Sequence, residues 1–305
     1  NFLTGASFSG GSTDSYQATN CLFVNNGTGI SINDCIFGST NSSYFGTPIE
    51  LNSPANTGMQ ITGSSALVVV TGGVFGTCNN AMDIGNNSIV TINAVSFKLN
   101  IFDVIQQGAS HLTLSGCTFE LTDSASDIDL QISGAGTSTE IMGCEFNGSS
   151  ILGVAEATGI MVTDNAKVNI SGGTMRNYTT ALHVGISTDT SSTHVGVSSL
   201  VIHDSTTDIL QEGLAGLDFD ASTAASSKIV VNDPTNVSLA FFDLDKRGVL
   251  TIGSTANVDT SLIHAVIHPT NHPQIDYLSS LYSTQAIGFK NGFLIPSTWY
   301  VTCDD

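Results

Sequence analysis

The sequence predicts an all-β chain wound as a solenoid, a parallel β-helix of roughly nine to ten coils with a C-terminal cap. Three observations predict it. An apolar phrase recurs at intervals of 22 residues or a little more, a bend-tolerant residue stands at one place inside it, and helix signals are almost absent.

Aligned on its final large residue, the phrase ends at Phe37, Phe75, Phe97, Phe119, Phe146 and Met175, with spacings of 38, 22, 22, 27 and 29 residues. Periods of this size mark solenoids and arrays. Seven and five residues earlier stand apolar pairs: Ile30/Ile32, Val68/Val70, Val90/Ile92, Leu112/Leu114 and Val168/Ile170. One residue separates the members of each pair, the period of a strand with one buried face. Three before the aromatic come Asp34, Gly72, Ala94, Gly116, Gly143 and Gly172, mostly residues that tolerate a left-handed or tight bend. Each unit, as in "SHLTLSGCTF" at Ser110–Phe119, is thus a strand, a corner and a second short strand.

Ser, Thr, Val, Ile, Asn and Gly favour strands and turns, and Ala, Leu, Glu and Lys never cluster at helical spacing. A coil cannot bury its inner face alone; stacking on its neighbours does that. "SLVIHDS", "SKIVVND" and "GVLTIGS" continue the series to Ile252 without the aromatic. The expected division is a β-helix over 1–258, then a last coil plus C-terminal cap or assembly segment over 259–305. There the repeat breaks and aromatics concentrate, including the only Trp, Trp299.

Composition narrows the partners. Charged residues make up 11% of the 305, and 7 Lys plus Arg against 26 Asp plus Glu leave a formal charge of −19. Such a surface repels phosphate backbones and anionic head groups, so nucleic acid and acidic membranes are poor partners. Cations, neutral glycans and other protein subunits remain. No apolar run reaches the length of a membrane-spanning helix. The opening "NFLTGASF" lacks Met and already contains Phe8, as expected of a processed or excised N-terminus.

The repeat resembles the right-handed, single-stranded parallel β-helix of the pectate-lyase-like superfamily over roughly Phe2 to Ile252. Polymorphic membrane protein passengers of the autotransporter type are similar in an F-x-x-N motif, met at Phe23–Asn26 and Phe97–Asn100; phage tailspikes share the coil pattern. The resemblance implies a fold that serves both polysaccharide enzymes and surface proteins.

Three features could carry chemistry. Cys21, Cys35, Cys117 and Cys144 each stand two before a Phe. Cys117 and Cys144, on consecutive coils, are expected either as a stack of small core residues or as an inter-coil disulfide. His264, His268 and His272, at steps of four, do not converge on one metal.

The third is an acidic stripe. The triplets "MDI", "FDV", "IDL", "IMV", "LHV", "LDF", "FDL" and "IHA" set one residue between two apolar ones. Alternation then aims Asp83, Asp103, Asp129, Met161, His183, Asp218, Asp243 and His264 outward. Carboxylates about 5 Å apart repel by roughly 1 kcal/mol even in water. The stripe is either a solvated acidic face, or a binding face for Ca²⁺ (at Asp103 and Asp129), glycan or a subunit, or the seat of a catalytic carboxylate pair. In the last case Asp103 and Asp129 are the pair. Tyr178 and Phe45 are the outward aromatics that a glycan groove could use.

The motifs of phosphate loops, nucleophile elbows, zinc proteases, polygalacturonases and alginate epimerases are all absent, and a lyase base has only Arg176, Arg247 and a few Lys to draw on. The sequence therefore favours a non-enzymatic extracellular, cell-surface or virion-surface protein, a rigid solenoid used for adhesion, ligand binding or self-assembly into a homo-oligomer or filament. No cofactor is expected beyond the Ca²⁺ alternative. A glycoside hydrolase or tailspike depolymerase is the second reading.

Overall fold

The computed structural model describes residues 4–24, 27–45, 57–122, 127–150, 156–190 and 192–224. It also describes the backbone strands 228–231, 237–244, 249–252, 263–267, 274–277, 287–290, 293–296 and 300–302. Among them every regular element is a strand. Each coil supplies three, and in the coil of the quoted phrase they are Phe102–Gln106, His111–Ser115 and Thr118–Thr122. Equivalent strands pair parallel and in register, Val90 beside Leu112 and Phe97 beside Phe119. Three parallel sheets result, and the fold is the expected β-solenoid. The first sheet stacks twelve strands, from Thr4–Ser9 to Gln274–Tyr277.

The corner between the second and third sheets is one left-handed residue. Asn20, Asn41, Gly72, Ala94, Gly116, Gly143, Gly172 and Ser199 hold it in successive coils, all with positive φ. Gly has no Cβ to clash there, and Asn is tolerated. Ala94, exposed and at φ 53°, gains neither advantage. Ala94→Gly is therefore expected to raise stability by about 1 kcal/mol, seen as a higher melting temperature; an unchanged or lower one would contradict the assignment.

Behind each corner runs a ladder of rings: Phe23, Tyr44, Phe75, Phe97, Phe119 and Phe146, with centroids 4.3–5.4 Å apart. Met175 and Ile202 extend the column. Phe37, expected in this ladder, instead pairs with Tyr16 and Val68 in the second sheet, and Tyr44 takes its place. The Tyr44 hydroxyl is satisfied by Ser39 Oγ at 2.8 Å, and burial pushes its pKa up to about 12. Ile30 and Ile32 likewise belong to the first sheet, beside Met59 and Ile61.

About seven regular turns are formed, fewer than the nine to ten expected. The cause is local. Gly216–Ala224 runs unbroken past the place of the corner and pairs with both His194–Ser198 and Val201–His203. Its residues Ala221 and Ser222 replace the Gly or Asn that turns earlier coils. Further along, Ile263–Ile267 and Gln274–Tyr277 extend existing sheets, and Ile287–Lys290 pairs antiparallel with Phe293–Pro296. The boundary at 258, Trp299 and Cys303 lie outside the described residues.

Candidate binding face and buried carboxylates

The first-sheet strands explain why the acidic stripe does not exist as one outward column. In most of these strands a half-buried residue is followed by two consecutive buried ones before alternation begins: Ala81 and Met82 after Asn80, then Asp103 and Val104 after Phe102. Register pairs Met82 with Val104 and Asp83 with Ile105, so Asp103 lies level with Ala81, not with Asp83. Asp83 points outward, half-buried, level with Gln60 and Ile105. Burial alone raises its pKa. Met161 and His183 do share its column.

Asp103 and Asp129 point inward. They are 5% and 3% exposed. Level with them in the neighbouring coils stand Ala81 on one side and Gly159 on the other, residues small enough to leave room. Asp218 is on the second sheet, exposed, with its carboxylate 3.2 Å from His194 Nε2. Asp243 is in a strand paired beside Thr223, and His264 pairs beside Ala240; their side chains, like that of Phe45, lie outside the described residues. His183 Nε2 sits 2.9 Å from Glu212 Oε2.

Around the two inward aspartates the interior turns polar. Asn100 Oδ1 accepts from the Cys78 backbone N–H at 2.8 Å, which fixes the orientation of its amide. Its Nδ2 donates to Phe75 O at 3.1 Å and to Asp103 Oδ1 at 2.7 Å. Asp103 stands level with Asp129 of the next coil, both buried, and the buried Tyr178 hydroxyl donates to Asp129 Oδ2. Tyr178 is thus an interior residue, not an outward aromatic. Desolvation first, then the Asp129 charge, holds the Asp103 carboxyl well above the usual carboxylate range. Among the described residues no group of three or more His, Cys, Asp or Glu is arranged to hold a metal ion.

Cys117 and Cys144 are buried free thiols stacked on adjacent coils. Their mutual interaction lowers the Cys117 pKa and raises that of Cys144. Cys21 shares their column, but Cys35 does not. Its carbonyl accepts from Leu67 N, at the corner between the first and second sheets.

The face that sequence reasoning missed is on the second sheet. Over four coils its outward residues are Ile36, Gly38 and Thr40; Leu67, Val69 and Thr71; Ile89, Thr91 and Asn93; and His111, Thr113 and Ser115. None is Asp, Glu, Lys or Arg, although the chain carries −19. Leu67, Val69 and Ile89 are 39%, 41% and 49% exposed. The next coil brings Glu140, and the one after it Lys167. The only available signal was the run "LVVVT", apolar at both phases, where an ordinary one-sided strand would alternate.

No family model matches the chain, and no curated protein or solved structure matches it. The fold and these two features define a class: a parallel β-solenoid with an outer face uncharged over four coils and a polar ladder sealed inside.

Proposed function

We propose that this chain is a non-enzymatic extracellular surface protein of the right-handed, pectate-lyase-like kind. Its rigid coils present the uncharged second-sheet face to a neutral carbohydrate. The observation that carries the reading is that face: twelve outward positions without a charged residue on a chain of −19. Aliphatic patches beside Thr, Ser and Asn suit the mixed apolar and hydroxyl surface of a neutral sugar polymer. Five residues by four strands make a face of about 300 Å², well short of the roughly 800 Å² per partner of a stable protein interface. Size therefore favours a glycan over a second subunit.

Cleavage of a polysaccharide is the weaker reading. It requires Asp103 and Asp129 at an outer face, and side chains 5% and 3% exposed do not meet a substrate.

Co-sedimentation with insoluble neutral polysaccharides, and with acidic ones in parallel, tests the proposal. The protein should bind at least one neutral polymer. Val69→Glu and Thr91→Glu should each weaken that binding about tenfold or more, since burying an unpaired charge is costly. Asn169→Glu, outward on the same sheet but beyond the uncharged stretch, should leave it intact. Preference for acidic polymers, or full binding by Thr91→Glu, would sink the reading.

A further inference from the structure

The interior polar ladder is independent of the outer face and has a consequence of its own. We propose that Asp103 and Asp129 hold one shared proton inside the folded solenoid, and that its loss as pH rises makes the middle coils acid-stabilised and alkali-labile.

The placing of the donors suits a pair that carries one proton. Asn100 is fixed by the Cys78 N–H and approaches Asp103 only with its Nδ2. Tyr178 approaches Asp129 with its hydroxyl. Both outer ends of the pair are thus supplied with donors. The two carboxyls stand side by side one coil apart in the interior, where two ionised carboxylates would repel strongly. Protonating one of them turns that repulsion into a hydrogen bond. The register keeps them one coil apart, with Ala81 and Gly159 as the next residues in the column. The charges that act on Asp103 are those of Asp129 and the buried Asp127, both negative, and Tyr178 and Cys78 are further titratable neighbours of the ladder among the described residues. Of the nearby cations among the described residues, Lys98 pairs with Glu120 at 3.1 Å and Arg176, on the strand before Tyr178, with Glu145 at 3.3 Å.

The sign follows from linkage. Unfolded, both aspartates titrate near pH 4; folded, the pair retains one proton to higher pH. The stabilisation is fully present below the unfolded value and is lost as pH rises toward the folded one. Across that window the folding equilibrium should weaken about tenfold per pH unit, the slope of one proton.

Asp103→Asn separates this from a merely structural role. The amide would accept from Asn100 through Oδ1 and donate to Asp129 through Nδ2, keeping every bond without a titrating proton. Denaturant midpoints measured from pH 4 to 9 should fall with pH in the wild type. In Asp103→Asn the slope should be about one proton shallower, and the variant the more stable protein at the alkaline end. Asp129→Asn, which can accept from Tyr178 and donate to Asp103, should behave the same way. Infrared spectra at pH 6 should show a carboxylic-acid C=O stretch in the wild type that both variants lack. Parallel pH profiles for all three proteins, or no protonated-carboxyl band, would overturn the proposal.

Discussion

Phe119→Ala is expected to cost about 3–5 kcal/mol, the range for removing a buried aromatic from a packed core. The ring lies between two others, 4.8 Å from Phe97 and 4.4 Å from Phe146, with planes 3° and 4° from parallel. Truncation therefore exposes two ring faces to a void as well as forfeiting the burial of Phe119 itself. Strand pairing holds the neighbouring coils at fixed spacing on both sides, so the gap cannot close by collapse. Phe23, only partly buried and with one stacking partner among the described residues, should cost markedly less when truncated. Denaturant midpoints of the two variants provide the check. Equal losses would mean that the ladder is ornament on a fold stabilised elsewhere.

Gly172 and Gly173 are neighbours for which opposite outcomes are expected. A Cβ on Gly173 would lie 2.2 Å from the Cys144 carbonyl oxygen and 3.1 Å from its nitrogen. Those are backbone atoms, and the same carbonyl accepts the Thr174 N–H at 3.1 Å. Relief would require parting two coils at that point. Gly173→Ala should therefore cost more than about 3 kcal/mol, or abolish soluble expression. A Cβ on Gly172 meets nothing within 4 Å, and its φ of +69° is the corner value. Gly172→Ala should cost only the strain of a left-handed alanine, about 1–2 kcal/mol. Side-by-side midpoints decide the matter. A Gly173→Ala protein as stable as Gly172→Ala would show that the coils yield more easily than their hydrogen bonds suggest.

Much of this architecture could be read from the amino-acid order. The spacing of Phe75, Phe97, Phe119 and Phe146 and the Gly or Ala three before each are direct imprints of a strand, a left-handed corner and a stacked ring. Errors arose where two columns share a chemistry. Phe37 resembles a ladder residue, but Tyr44 fills that place, because a hydroxyl can enter the core once Ser39 satisfies it. The aspartates misled for a sharper reason. Because most first-sheet strands carry two consecutive buried residues after the first, an apolar–Asp–apolar triplet fits two registers, and "FDV" occupies the other one from "MDI". Gln106, buried where its neighbours have Ile84 and Ile132, concealed the true alignment. Its amide is satisfied by the Ser110 and Ser138 carbonyls, a partner set that no sequence pattern announces. The uncharged face was hidden by its own composition, since Val and Thr read alike on either side of a strand.

The ladder from Asn100 through Asp103 and Asp129 to Tyr178 has one more consequence. Coils that repeat so closely invite a folding chain to stack each turn one place too early or too late, with nearly the same apolar contacts. A slip there would part Asp103 from Asp129 and leave the phenol without its acceptor, a penalty that apolar columns cannot impose. Four polar side chains thus number the coils, so that a nearly uniform rod can be assembled in only one order.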